Sequence, residues 1–148
     1  MANEALREQN LNHALETACS LFLQYGIEGV TKEMLARASG LSRSSLDRYF
    51  TDKVDCVLQT ASWIGTNLFE QENLSNELLS DHMKTGIELL ERYMELIKEL
   101  YLDRPEYFVL SLEFRTYIYR HCDNYEEGYA KLHRALFEHT IVYKCYER

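Results

Sequence analysis

The chain has 148 residues, of which 46% are hydrophobic and 27% are charged, and its formal net charge is −8. These fractions are those of a globular protein and exclude wholesale disorder, while one proline and six glycines are too few for the many turns of an all-β fold. No apolar run reaches the ~18–20 residues that span a bilayer, and the polar N-terminus lacks the apolar stretch of a signal peptide. We therefore expect a soluble, cytoplasmic protein.

Cysteine and histidine spacing gives no sign of a metal site. The cysteines, at positions 19, 56, 122 and 145, form no Cys-x-x-Cys pair, and the histidines show no His-Glu-x-x-His pattern. We expect reduced thiols that pack as small hydrophobic groups. The sequence also lacks a nucleophile elbow, a phosphate-binding glycine loop and a paired-carboxylate motif, so we predict no enzyme activity, no cofactor and no metal.

An apolar period of 3.6 residues runs through almost the whole chain and predicts helices. The first predicted helix ends at Gly26, and its inward face consists of Leu11, Ala14, Leu15, Ala18, Phe22 and Tyr25. A short second helix is expected from Lys32 to Ser39, with Thr31 as its N-cap. The third is expected to run from its own N-cap, Ser42, to about Phe50.

The remaining predicted helices are longer. Thr51 and Asp52 cap a fourth helix that is expected from Lys53 to Gln71. A fifth is expected over 81–102, and its buried stripe is predicted to comprise Met83, Ile87, Leu90, Met94, Ile97 and Tyr101. Pro105 suits the first turn of a sixth helix that ends near residue 121, and a seventh follows the turn at 122–124.

The second and third helices meet the requirements of a helix-turn-helix. Ala36 lies where the two helices cross, and its small side chain lets them approach. Gly40 lies at the turn, where the backbone needs a positive φ, and Leu46 returns an apolar group beneath the crossing. We therefore predict an all-α fold, with a helix-turn-helix domain at residues 1–55 and a short helical domain at 56–148.

Several stretches around this motif carry a family pattern. They are Ala18-Cys-Ser-Leu-Phe22 with Tyr25-Gly26, Gly29-Val-Thr31, Leu35-Ala-Arg-Ala-Ser-Gly-Leu-Ser42, Ser45-Leu46 and Arg48-Tyr-Phe-Thr-Asp-Lys53. With them, residues 14–57 resemble the N-terminal domain of the tetracycline-repressor (TetR) family of bacterial regulators. The resemblance extends over helix order, both turns and the closing Tyr-Phe-x-x-Lys, and beyond residue 60 it offers only an all-helical pattern.

The resemblance implies that the third helix enters the major groove of double-stranded DNA, while the second helix and the start of the fourth hold phosphates. Arg43, in the leading turn of the third helix, is expected to read guanine with its two-pronged guanidinium. The other implied DNA contacts are Thr31, Lys32, Ser42, Ser44, Ser45, Arg48, Tyr49 and Lys53. A local excess of basic over acidic side chains at residues 31–53 favours this role despite the acidic remainder of the chain.

Asp47 departs from the family pattern, which usually has an aromatic residue at this place. Its carboxylate is either repelled by the DNA phosphates or paired with Arg43, four residues earlier on the same helix face.

A second departure is length, because family members typically continue through two more long helices that form the dimer interface. This chain stops at Arg148, near where those helices would begin, so it is either truncated or a compact variant that pairs differently. We expect a homodimer built on the sixth and seventh helices. The residues expected to form its interface are Tyr125, Tyr129, Leu132, Leu136, Val142, Tyr143 and Tyr146.

In the family, the C-terminal region encloses a pocket for a small inducer. Trp63, Tyr93, Phe114 and Tyr117 are predicted to lie nearest such a pocket, while most other tyrosines are expected to pack in the core or at an interface. The predicted function is a DNA-binding transcriptional regulator, namely a repressor that a small-molecule ligand releases. The alternative is a helical interaction module that keeps the fold but has lost DNA binding, which Asp47 and the acidic charge favour.

Overall fold

The computed structural model describes residues 2–71 and 86–137, and all regular secondary structure within these ranges is helical. The helices are α1 (Ala2–Tyr25), α2 (Lys32–Ser39), α3 (Arg43–Tyr49), α4 (Lys53–Gln71), α5 (Gly86–Asp103), α6 (Pro105–His121) and α7 (Tyr125–Phe137). The predicted all-α class is confirmed. None of the described helices is long and apolar enough to cross a membrane.

Local capping signals set the helix ends near the N-terminus where the sequence predicts them. The Thr31 hydroxyl accepts a hydrogen bond from the Met34 N–H at 3.2 Å, and the Ser42 hydroxyl accepts one from the Ser45 N–H at 3.2 Å. Gly40 ends α2 at φ +72°, in the left-handed region that favours glycine. These three residues hold α2 and α3 at the angle of a helix-turn-helix.

A single apolar core joins this motif to the rest of the described chain. Leu46 is 1% exposed beneath the α2–α3 crossing and belongs to the same buried cluster as Phe22 of α1 and Phe114 of α6. The rings of Phe22 and Phe114 meet edge to face, with their centroids 6.4 Å apart. The domain boundary between residues 55 and 56 remains a prediction, because α4 runs through it without a break.

Helix α4 lies between α1 and α7 and packs closely against both. Gly65 is the point of close approach to α7: a Cβ at this position would lie 2.7 Å from the backbone oxygen of Leu136. Leu132 and Leu136 of α7 are buried in this packing. Their predicted place in a dimer interface is therefore wrong, because the same apolar side chains fill the core of their own chain.

Two other predicted buried faces need correction. Tyr25 is 53% exposed, because α1 ends there and its side chain lies at the edge of a groove rather than in the core. On α5, Ile87 and Met94 are 72% and 59% exposed, whereas Leu100 is buried. The physical reason is that, among the described helices, α5 packs mainly against α6, which covers only part of its apolar stripe.

Of the other four residues of the predicted α5 stripe, the structure describes the side chains of two. Ile97 and Tyr101 are half-buried, and the Tyr101 ring meets that of Phe108 with centroids 5.1 Å apart. Met83 and the side chain of Leu90 lie outside the described residues.

The predicted packing of cysteines as small hydrophobic groups is confirmed for Cys19 and Cys56, which are buried free thiols. Burial raises the pKa of both thiols to about 12, so the reactive thiolate is scarce at neutral pH. Cys122 is a half-buried free thiol, and Cys145 lies outside the described residues.

Substitution of Gly65 by alanine is expected to destabilise the protein, although glycine-to-alanine changes normally favour a helix by about 1 kcal/mol. The added methyl group would lie against the backbone of α7, which cannot rotate away as a side chain can. Overpacking of this kind costs about 1–3 kcal/mol and outweighs the gain in helix propensity, so we expect a net loss of up to about 2 kcal/mol in the free energy of unfolding. Urea unfolding followed by circular dichroism measures it.

The matched control is Thr66→Ala, one residue further along α4, which adds no atoms and lies on a partly exposed face. It should leave the free energy of unfolding within about 0.5 kcal/mol of the wild type. A Gly65→Ala protein as stable as the wild type or more stable would contradict the close α4–α7 contact.

Candidate DNA-binding surface

The helix-turn-helix is held on α1 by a polar contact as well as by the core. The His13 ring nitrogen Nε2 donates to the backbone oxygen of Ser39 at 3.0 Å, across the end of α2. The acceptor is a carbonyl, so Nε2 must carry the proton in this contact. Sequence reasoning assigned His13 no role, because no local pattern marks a side chain that reaches 26 residues ahead.

The leading turn of α3 presents a polar end to solvent. Ser42, Arg43 and Ser44 are exposed and Ser45 is half-buried. The Ser42 hydroxyl lies 2.9 Å from that of Ser45 and 3.1 Å from that of Ser44, so the cap and the turn form one small network. The residues predicted to contact the edges of DNA bases are thereby brought together at one exposed end of α3.

Two ion pairs connect α2 to α3. The carboxylate belongs to α2 in one pair and to α3 in the other. Glu33 of α2 accepts a hydrogen bond from the Nη2 of Arg43 at 2.8 Å. Lys32 of α2 donates to the Oδ1 of Asp47 on α3. The predicted alternative of an Asp47–Arg43 pair within α3 is wrong, because the neighbouring helix offers each of these side chains a partner of opposite charge.

The residues that the resemblance implies as phosphate contacts differ in their exposure to solvent. Thr31 is exposed, and its oxygen accepts from the Met34 N–H while its own O–H can still donate to a phosphate. Arg48 is exposed, whereas Tyr49 is half-buried with its ring edge to face with Phe50, the centroids 6.5 Å apart.

Lys53 points inward rather than toward the free N–H groups at the start of α4. Its Nζ donates to the backbone oxygen of Val30 at 2.7 Å and lies 5.6 Å from the ring centroid of Tyr117 on α6. Burial lowers the pKa of its ammonium group. Its contact with DNA remains a prediction, since it would require this side chain to leave a satisfied position.

Lys53 belongs to a wider contact between α6 and the loop that precedes α2. The His121 Nε2 and the Glu28 Oε1 are 2.6 Å apart, and the His121 ring stacks on Tyr117 at a centroid distance of 4.2 Å. The hydrogen bond from His121 lowers the pKa of the Glu28 carboxyl. Sequence reasoning did not find this contact, because Glu28 and His121 are 93 residues apart.

The predicted pocket residues do not lie together in the described structure. Trp63 lines a groove of about 250 Å³ between α1 and α4, and Tyr117 lines a separate groove of about 340 Å³ between α6 and the loop after α1. Phe114 is buried in the core, and the side chain of Tyr93 lies outside the described residues. A ligand site therefore remains a prediction.

The described fold is helical, with a helix-turn-helix formed by α2 and α3 near its N-terminal end. Residues 14–60 match the family model described as "Bacterial regulatory proteins, tetR family". The resemblance predicted for residues 14–57 is thereby confirmed for this segment, which is similar to the N-terminal DNA-binding domain of tetR-family transcriptional regulators. The match covers about a third of the chain. No curated protein and no solved structure matches the chain.

Removal of the Asp47 charge is expected to strengthen non-specific DNA binding. In Asp47→Asn the Lys32 ammonium loses its carboxylate partner and becomes available to phosphates. We expect affinity for a random-sequence duplex to rise about two- to fivefold at low salt, the equivalent of one exposed ion pair. The plot of log affinity against log salt should steepen by about one unit. Fluorescence anisotropy over a salt series measures both.

Asp103→Asn provides the control, because it changes the net charge equally at the far end of α5. It should leave the salt dependence unchanged. Equal effects of the two substitutions would mean that overall charge, rather than the Lys32–Asp47 pair, limits DNA binding.

Proposed function

We propose that the protein is a repressor that binds an operator through α3 and leaves it when the C-terminal helices bind a small molecule. The observation that carries the proposal is the exposed leading turn of α3, where Arg43 is flanked in sequence by the exposed Ser42 and Ser44. Arginine is the side chain best suited to take guanine O6 and N7 together, and hydroxyls serve either base edges or phosphates.

The residues beside this turn suit the positioning of the duplex. Thr31 offers a hydroxyl at the start of α2, Lys32 offers an ammonium group on the same helix end, and Arg48 extends from the last turn of α3. These groups carry no sequence information and fix the orientation of the protein on the phosphate backbone. Tyr49 and Lys53 complete the proposed set from partly buried positions.

Release by a ligand requires a physical connection between the C-terminal helices and the DNA-binding part. Contacts of α6 supply one: His121 reaches Glu28, Tyr117 lies beneath Lys53, and Phe114 packs on Phe22. A ligand that moves α6 would therefore move the loop before α2 and the start of α4. The groove beside Tyr117 adjoins this connection and is the place we propose for a small effector.

A homodimer would double the DNA contact, since one helix-turn-helix reads a single half-site. We propose that its interface is an exposed face of α6 and α7, which we call the α6–α7 face. Its members are Leu112, Arg115, Tyr119, Tyr125 and Tyr129. Tyr119 contacts Tyr125 with ring centroids 5.6 Å apart, and the Arg115 guanidinium lies 5.6 Å from the Tyr129 ring.

The alternative function is a helical interaction module without DNA affinity. The observation that favours it is the pairing of two basic side chains of the surface, Lys32 and Arg43, with carboxylates of the same surface. A protein of this kind would enrich no sequence from a randomised duplex library and would bind random duplex only weakly at low salt.

Arg43→Ala is expected to weaken binding to an enriched duplex by about 1–3 kcal/mol and to relax preference at one base pair. The probe is the duplex that the wild-type protein selects from a randomised library, together with its single-base variants. Affinities are measured by fluorescence anisotropy at constant salt.

Arg37→Ala is the matched control, because it removes the same charge from an exposed position on α2 outside the proposed contact set. It should weaken binding to selected and random duplexes by the same factor. If Arg43→Ala behaves in the same way, Arg43 contacts phosphate and does not read a base.

Light scattering over a tenfold range of concentration is expected to give the mass of a dimer. Tyr119→Glu places a charge in the proposed α6–α7 face and should convert the dimer to a monomer without loss of helix content. Leu6→Glu, a similar change at an exposed position of α1, should leave the dimer intact. A monomer mass for the wild type throughout would refute the dimer, and a dimer that survives Tyr119→Glu would place the interface elsewhere.

A further inference from the structure

Glu33 carries a negative charge on the surface where DNA phosphates would approach. A carboxylate in such a place opposes binding, because the duplex is densely negative. Glu33 also contributes little to stability through its ion pair: its side chain and that of Arg43 are 71% and 62% exposed, and pairs of this exposure contribute on the order of 0–1 kcal/mol. Non-specific affinity therefore does not account for a carboxylate here, and the helix dipole, which favours an acid in the first turn of α2, does not account for its contact with Arg43.

The geometry of the pair indicates another role. Glu33 holds the Arg43 guanidinium at a single nitrogen, Nη2, from a residue in the first turn of α2. That turn is itself fixed by the Thr31 cap, so the carboxylate projects from a rigid backbone. An arginine guanidinium has five N–H donors, and the contact with Glu33 leaves the others for a second acceptor.

We infer that Glu33 is a positioning residue that orients the Arg43 guanidinium for base reading, and that Glu33 thereby determines specificity. The inference rests on the proposed function, in which Arg43 reads a base. A free arginine side chain samples many rotamers and loses that freedom on binding. An arginine held in place before DNA arrives loses less, and its planar fork presents one edge to the groove.

The second ion pair engages the other carboxylate within reach of Arg43. Asp47 lies four residues after Arg43 on α3, at the spacing that allows a pair within one helix. Lys32 engages Asp47 instead, so that Arg43 is left to Glu33. A single acidic partner from α2, rather than two from different helices, gives the guanidinium one defined orientation.

A different role for Glu33, in which its carboxylate only masks Arg43 from DNA, makes the opposite prediction. If Glu33 merely competed with DNA for Arg43, its removal would strengthen binding to every duplex, and base preference would be kept. If Glu33 orients Arg43, its removal relaxes preference at the base pair that Arg43 reads, while affinity for random duplex stays the same or rises.

The experiment compares three variants that each remove one negative charge from this surface: Glu33→Ala, Glu33→Gln and Asp47→Ala. The glutamine variant keeps an acceptor oxygen at the same reach, and the Asp47 variant removes the partner of Lys32 rather than that of Arg43. The full-length protein is used with a duplex selected by the wild type from a randomised library, with the single-base variants of that duplex and with random duplex. Thermal unfolding is followed for each variant.

We expect Glu33→Ala to lower discrimination about tenfold at the base pair affected by Arg43→Ala and at no other. Glu33→Gln should retain part of this discrimination, and Asp47→Ala should retain all of it. A double variant of Glu33→Ala with Arg43→Ala should discriminate no worse than Arg43→Ala alone, because the two residues act through one contact. Equal thermal unfolding of the variants separates positioning from loss of fold.

Unchanged discrimination in Glu33→Ala, while Arg43→Ala loses it, overturns the role of Glu33 and leaves the proposed function standing. A uniform rise in affinity for all duplexes also overturns it in favour of masking. If no sequence is enriched, or if Arg43→Ala leaves discrimination intact, the proposed base reading fails and the role of Glu33 fails with it.

Discussion

The packing of α4 between α1 and α7 is the constraint on which the rest of the described structure depends. Gly65 allows the backbone of α7 to approach, and the opposite side of α4 closes on α1. Because α4 begins directly after α3, its orientation also fixes where the helix-turn-helix stands. One buried cluster therefore runs from beneath α3 to α6 and α7, so close-packed contacts connect these helices to the candidate DNA-binding surface.

The candidate DNA-binding surface combines this rigid support with a closely balanced set of charges. Its positive field comes from a short segment of an acidic chain, and Lys32 and Arg43 are each held by a carboxylate of the adjacent helix. Such exposed pairs are weak enough to exchange partners with phosphates, and salt screens both alternatives. Under the proposed function, an arrangement of this kind limits attraction to any DNA and leaves discrimination to the residues proposed to contact base edges.

Contacts of α6 give the molecule a second polar centre, away from the recognition helix. Glu28, His121, Tyr117 and Lys53 meet where α6 touches the loop before α2. Lys53 is held at this centre because the Val30 carbonyl and the Tyr117 ring compensate part of the loss of water around its ammonium group. The proposed effector groove lies beside this centre. The loop before α2 therefore lies next to both the proposed effector groove and the proposed phosphate contacts at the start of α2.

The sequence by itself determined the helices, their ends in the N-terminal part and the helix-turn-helix, because these depend on local chemistry. Thr31, Gly40 and Ser42 act on backbone groups within four residues, and Leu46 follows from apolar spacing. Only the tertiary structure decided which carboxylate pairs with Arg43 and that Leu132 and Leu136 are core residues. These outcomes depend on how separate helices cross, and two residues far apart in the chain leave no joint signal in one sequence. For the same reason, the periodicity of α5 predicted a buried stripe, whereas only the neighbouring helices could decide that Ile87 and Met94 are exposed.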